Sequence, residues 1–361
     1  MKRVTAIDSI RGILLAWMAI DHWGGPISAQ LYQRLGFWTA AEGFFLISGY
    51  VATQVALEKP DPRAWFLQRS CVVWKWHLLA LAPMAVLALG LPAFGWRPLR
   101  GLETAQWLRE LPGAAALVHQ PDYLDVLPLY VVLLLGAGLL VPGLALRWPR
   151  RAPACVFAVS LMLWLAGQFG ATGLMRALLL PGWMRMGLFD PLGWQLLFFV
   201  GVSLALLRRQ GEVIGGGIWR GTVRLAAVLA VAFFCWRNGL FGLEPLADES
   251  VWISRARLGP LRVMSFAAAA VVVVEIIRRW PRALDWAPTR FLGQHSLAVF
   301  SLHLPLIYVW HFRPQPYPWL AQVLVPLLML GWLFVVAWIH ARATSVPAAA
   351  HAGPVRRAHL S

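Results

Sequence analysis

The sequence is short of charge. Asp, Glu, Lys and Arg make up 13% of its 361 residues and hydrophobic types 59%, whereas soluble domains usually carry about a quarter charged residues. A water-soluble fold of that composition would expose large apolar patches and aggregate; lipid solvates the same surface, so an integral membrane protein is expected. Acids are scarcest, 16 against 32 basic residues. The resulting charge of +16 is not a nucleic-acid signature, because the basic residues fall in short clusters between long apolar runs, the arrangement of membrane-protein loops. Cysteine is nearly missing: Cys71, Cys155 and Cys235 are scattered and apolar in context. No Cys-x-x-Cys, zinc spacing or disulfide framework exists, and no metal site is expected. There is no water-soluble domain and no internal repeat.

What is present is a series of apolar runs. A spanning helix needs about 20 mainly apolar residues, and about ten candidates lie near 10–27, 36–57, 73–94, 125–146, 153–170, 192–207, 219–237, 260–278, 293–311 and 319–341. The chain opens Met1-Lys2-Arg3 and soon turns apolar, as a signal peptide does. The run is broken by Asp21 and His22 and lacks a convincing small-x-small cleavage site, so it reads as a retained first helix. An even count puts both termini on one side. The two terminal stretches and the short loops around Lys59–Lys75, Arg147–Arg151, Arg208–Arg224 and Arg278–Arg290 together hold 20 of the 32 basic residues, which makes that side cytoplasmic. The expected fold is therefore an all-α integral membrane protein with about ten transmembrane helices and both termini cytoplasmic. Residues 1–341 would form one polytopic domain, followed by a short, basic, disordered cytoplasmic tail, 342–361, near the anionic leaflet. The longer loops 95–124, 171–191 and 238–259 would face outward, the second with room for a short re-entrant piece. They hold Trp96, Trp107, Tyr123, Trp183 and Trp252, either interfacial belt residues or a platform for sugar rings.

Ionisable residues inside spans are costly, so each is a candidate functional group. Asp8-Ser9-Ile10-Arg11-Gly12 opens the first span and Asp21-His22 lies well along it. Eleven helical steps from Arg11 to His22 turn the helix through about 1100°, close to three full turns, and advance it about 16 Å. Both side chains then share one face, Arg11 at the cytoplasmic entrance and His22 past the midplane, with Asp21 about 100° off. A guanidinium suits the phosphates of a cytoplasmic acyl donor. An imidazole, whose ordinary pKa lies near working pH, suits proton abstraction from an acceptor hydroxyl arriving from outside. The plainer alternative makes Arg11 a positive-inside residue and His22 an interfacial one. In the second span Glu42 sits among apolar residues at about the level of His22. There it would either orient His22 or pair with an arginine, unless it simply faces interfacial water.

Further polar residues punctuate the later spans. Asp122, Tyr123 and Asp125 lead into the fourth, where the acids would bind sugar hydroxyls or cap a helix. Gln195 opens the sixth as a ligand contact or as polar glue between helices. His295 and Ser296 open the ninth from inside, where they would line a donor entrance, and His303 lies deeper, either functional or a hydrogen-bonded core histidine. Asp8 and Asp21 complete the candidate substrate-binding set.

The first helix resembles the Arg-x10-His signature of the membrane acyltransferase-3 superfamily, here Arg11 to His22. Together with Ala41-Glu42-Gly43-Phe44-Phe45-Leu46-Ile47-Ser48-Gly49-Tyr50, Tyr123-Leu124-Asp125-Val126-Leu127-Pro128-Leu129-Tyr130, Gly193-Trp194-Gln195 and Leu292-Gly293-Gln294-His295-Ser296-Leu297, it is similar to the OpgC family, described as succinyl-modifying enzymes of osmoregulated periplasmic glucans. The resemblance runs over nearly the whole chain in the family's motif order. Where the family often reads Phe-Val-Phe-Leu-Ser-Gly, this chain has Phe44 to Gly49. The resemblance implies a bacterial inner-membrane, multi-pass O-acyltransferase. It would take an acyl group from cytoplasmic acyl-CoA, succinyl-CoA in the first instance, and place it on a periplasmic glucan or other glycan. The family's arginine and histidine correspond to Arg11 and His22, and its acidic segment to Glu42. Expected partners are the glycan, the donor, the bilayer and glycan-synthesis machinery, with no nucleic acid. A transporter or channel for a small anion or glycan would use the same buried charges as a permeation path, and broken helices or inverted repeats would favour it. A non-enzymatic member of a glycan-synthesis complex is a third reading.

Overall fold

The apolar runs fold as helices, the form that satisfies every backbone group where water is absent. The computed structural model of the chain describes residues 5–90, 104–121, 123–179, 187–211, 216–247, 250–312 and 318–345. Among them the regular elements are helical: α1 (Thr5–Trp23), α2 (Gly25–Leu31), α3 (Ala40–Ala56), α4 (Pro62–Gly90), α5 (Thr104–Ala115), α6 (Val126–Arg147), α7 (Ala152–Gln168), α8 (Ala171–Leu179), α9 (Pro191–Arg209), α10 (Gly216–Arg237), α11 (Pro260–Arg279), α12 (Ala287–Gln294), α13 (Ser296–Phe312) and α14 (Trp319–Ser345), with one 3-10 turn at Leu240–Gly242. No strand occurs among the described residues.

Six of these helices, α4, α6, α9, α10, α11 and α14, are long and apolar enough to cross a membrane. Two bent pairs, α7 with α8 at 79° and α12 with α13 at 85°, raise the number to eight if each is one span. The chain is thus an all-helical, multi-pass membrane protein. Both charged early helices fall outside this set: α1 carries Asp8, Arg11 and Asp21, and α3 is 17 residues long. They nevertheless pack in the interior. α9 is the most buried of the apolar six and α10 the least, so α9 sits centrally while the α10–α11 hairpin lies at the edge.

Several details differ from the sequence expectation. α1 begins at Thr5, not near residue 10, which sets Arg11 in the second turn of a helix and not at its mouth. The ninth expected span, 293–311, is two helices, broken at His295. α14 continues through Ser345, so residues 342–345 of the expected tail are helical; the remainder lies outside the described residues. A bend at 169–170 separates α7 from α8, and α8 falls in the stretch 171–191 where a short extra piece was expected.

Glycines set the two closest crossings. A methyl group on Gly12 would overlap the Thr289 carbonyl, and one on Gly293 the Asp8 carbonyl, so α1 and α12 touch backbone to backbone. Gly49 meets the Phe198 carbonyl and Gly201 the Leu46 carbonyl in the same way, locking α3 on α9. Small residues at such contacts are the usual means of close helix approach in lipid. The motifs around Gly12, Gly49 and Gly293 therefore contain a packing instruction as well as polar groups.

Candidate active site

Arg11 and His22 both reach α13. The Arg11 guanidinium, half-buried and 6.0 Å from the centre of the Phe44 ring, donates from Nη2 to Ser296 Oγ. Further along α1, His22 Nδ1 lies 3.1 Å from His303 Nε2, and the Tyr123 ring makes a T-shaped contact with His22 at 5.2 Å between ring centres. Ser296 and His303 are seven residues apart, about two turns, and so lie on one side of α13. Two helices thus hold both groups: Arg11 against the start of α13 and His22 against its middle. His303 is 1% exposed, and its Nδ1 lies 2.5 Å from the Phe300 carbonyl oxygen.

Glu42 is elsewhere. Its carboxylate is fully buried, accepts from Thr39 N at 3.0 Å and Thr39 Oγ1 at 2.9 Å, and forms an ion pair with Arg262 Nε. Arg262 is itself fully buried on α11 and reaches Thr39 Oγ1 from Nη2 at 3.3 Å. Of the two roles expected for Glu42, pairing with an arginine is the one present. Arg262, at the start of the expected span 260–278, is a core residue.

The remaining candidates divide. Ser296 joins the Arg11 end. His295, in the break before α13, hydrogen-bonds His340 of α14 at 2.8 Å between Nδ1 atoms, with Phe291 and Trp76 flanking the two rings. Nothing in the sequence singles out His340. Asp8 is buried in the first turn of α1, against Gly293. Asp21 has Arg255 and Glu42 as its charged neighbours; its Oδ1 is buried without a hydrogen-bond partner among the described residues. Asp125 is buried and accepts from Leu188 N at 3.0 Å, tying the start of α6 to the segment before α9. Gln195 accepts from Ser160 Oγ at 2.7 Å and donates to the carbonyls of Ser160 and Leu192 at 2.8 and 2.9 Å. Its amide is spent on joining α9 to α7, the glue role. Tyr123 stands beside His22, with a positive φ of 69°. Asp122 lies outside the described residues.

Near the start of α1, Asp285 joins helices that the site depends on. It accepts from Thr5 Oγ1 at 2.6 Å and from Arg290 Nη1 at 2.9 Å, linking the start of α1 to α12. The Thr5 hydrogen bond, and after it Arg290, holds its carboxyl below the ordinary aspartate range.

This geometry defines a class: a multi-pass helical membrane protein with a guanidinium and an imidazole aligned on one interior helix. The OpgC protein family model matches residues 3–345, essentially the entire chain, and the protein belongs to that family. Membership points to an acyltransferase-like role on glucans. No curated protein matches the chain.

Proposed function

We propose that the protein is an O-acyltransferase of the bacterial inner membrane that moves an acyl group from cytoplasmic acyl-CoA to a hydroxyl of a periplasmic glucan or related glycan. Succinyl is the acyl group that the family resemblance implies, with acetyl as the other candidate. The reading rests on one observation: α13 contacts both Arg11, through Ser296, and His22, through His303, so two packed helices place a fixed cation and a proton acceptor along a single line. In this scheme α1 and α3 join the eight candidate spans to give ten, with both termini cytoplasmic. Contact between the early parts of α1 and α13, and again between their later parts, requires the two to run in the same direction, as the first and ninth of ten spans do.

The donor enters from the cytoplasm with its phosphates near Arg11, whose planar guanidinium suits them. The thioester extends toward His22. The glycan hydroxyl gives its proton to His22 as its oxygen attacks the thioester carbonyl carbon. The C–S bond then breaks, and the departing thiolate takes the proton from His22, leaving an ester and free coenzyme A. General base catalysis of this kind contributes roughly 10²–10⁴-fold. His22→Ala is accordingly expected to slow transfer by about that factor while the protein remains folded in the membrane. Mass spectrometry of periplasmic glycans from cells with and without the protein names both acyl group and acceptor, and unchanged acylation in cells carrying only the His22→Ala protein refutes the reading.

A further inference from the structure

A histidine that serves as a base needs its lone pair on the correct ring nitrogen, and in many sites a carboxylate bonded to the other nitrogen sees to this. Glu42, the carboxylate expected in that role, is consumed by Thr39 and Arg262. We infer that His303 takes its place: the Phe300 carbonyl and His303 form a relay that fixes His22 as the tautomer with hydrogen on Nδ1 and the lone pair on Nε2. This inference deepens the acyl-transfer reading and rests on it for its catalytic consequence.

The Phe300 carbonyl can only accept. His303 Nδ1, 2.5 Å away, must therefore bear the hydrogen. In a neutral imidazole the other nitrogen then has the lone pair, so His303 Nε2 accepts. Its partner at 3.1 Å, His22 Nδ1, must donate, which leaves the lone pair of His22 on Nε2. The ring geometry supports a true N–H···N bond. The ring centres are 5.4 Å apart and the planes within 7°. That separation exceeds the N···N distance by about the width of an imidazole ring, nearly the most that distance allows. Both nitrogens consequently lie close to the line joining the ring centres, and the rings meet edge to edge in almost one plane, not face to face. A linear, in-plane bond is the arrangement in which a donor proton is best shared.

The rest of the surroundings hold the relay still. His303 is buried on α13, with the Phe300 ring 5.4 Å from its own. As His22 accepts the substrate proton on Nε2, its Nδ1–H stays on His303 Nε2, which faces the new positive charge with a lone pair. The proton leaves by Nε2 to the thiolate, and His303 neither gains nor loses one. It is a positioning residue, acting through His22.

The test reads the tautomer directly. Full-length protein with 15N-labelled histidine is reconstituted in lipid bilayers, and the His22 ring signals are assigned by their loss in His22→Gln. At neutral pH the wild type is expected to show a protonated Nδ1 and a bare Nε2. His303→Leu, which has no acceptor, should shift His22 toward the Nε2-protonated form that free histidine prefers, and His303→Gln, whose Oε1 accepts near the place of Nε2, should restore much of the original signal. With succinyl-CoA and a β-glucan oligosaccharide as probes, His303→Leu should lower kcat by roughly 10²-fold with little change in KM, and the Gln variant should recover part of it. A wild-type His22 protonated on Nε2, or a His22 tautomer indifferent to His303→Leu, overturns the relay. Transfer that survives His22→Ala while the tautomer results hold overturns His22 as the base and with it the catalytic consequence of the relay, whereas a wild type without transfer to glucan overturns the acyl-transfer reading and leaves the tautomer relay standing.

Discussion

Two of the clusters of ionisable side chains inside this helical assembly are built on opposite plans. Between α3 and α11, Glu42 and Arg262 are both wholly buried and bonded to each other and to Thr39. Between α1 and α13, Arg11 and His22 are half-buried, and α13 meets them with a serine and a histidine. Burial of a charge in a span is usually taken as a sign of function. The contrast refines that rule. A charge wholly buried against an opposite charge has little capacity left for a substrate, whereas a half-exposed cation or imidazole can still be reached by one. Glu42 therefore reads as the anchor of the α3–α11 contact, and the α1–α13 line as the place for chemistry.

The sharpest way to break that distinction is to dismantle the closed pair. Removing one partner of a buried ion pair typically costs about 3–5 kcal/mol, because the other charge is left without compensation. Glu42→Ala and Arg262→Ala should each lose stability on that scale, seen as a lowered unfolding midpoint in detergent. Replacing both by leucine should recover most of the loss, since apolar substitutes for a buried pair are often neutral or better. Acyl transfer should survive in the double variant. A double variant that folds but has lost transfer would move Glu42 into the chemistry and erase the contrast.

The contrast is only half visible in the sequence. Arg11, His22 and Glu42 stand out as isolated charges in apolar runs, and helical spacing puts the first two on one face. Arg262 does not, because it is the third residue of the apolar run 260–278, where a cation reads as an interfacial residue at the end of a span. Its partner is 220 residues away, and nothing local announces a pairing over that distance. The same holds for His22 and His303, 281 residues apart: each is conspicuous alone, but only the packing of α1 on α13 joins them. Of the fold, the apolar runs near 125–146, 260–278 and 319–341 are legible because a long hydrophobic stretch leaves few alternatives, and α6, α11 and α14 match them closely. Short elements such as α2, with seven residues, fall below the length at which such a signal rises above its surroundings. The break at His295 has no proline or glycine at that residue to mark it.

A smaller effect is expected where the α1–α13 line is set in place. Gly293→Ala puts a methyl group into the Asp8 carbonyl, so α12 must withdraw from α1. Overpacking of this kind costs about 1–3 kcal/mol. Withdrawal should also loosen Arg11 from Ser296, which follows Gly293 closely on the same stretch of chain, and raise the KM for donor more than it lowers kcat. Equal losses in both would show that α12 supports the His22 end as much as the Arg11 end, and the two ends could no longer be treated separately.

The smallest effect belongs to Asp285, which ties α1 to α12 from outside the membrane. Its carboxyl is held below its ordinary range by Thr5 first and Arg290 second, so the folded protein binds a proton there less readily than the unfolded chain. The sign follows from linkage: the contribution is fully present above the ordinary aspartate value of about 3.9 and is lost as pH falls through the lower folded value. Asp285→Asn cannot ionise, so its unfolding midpoint should lie slightly below that of the wild type at pH 7, by less than for Gly293→Ala, and the two should converge in acid. The site is partly open to solvent, where ion pairs are weak and screened by salt, so added salt should narrow the gap at pH 7 as well. A gap that persists unchanged in acid would mean that the tie depends on the shape of the side chain and not on its charge.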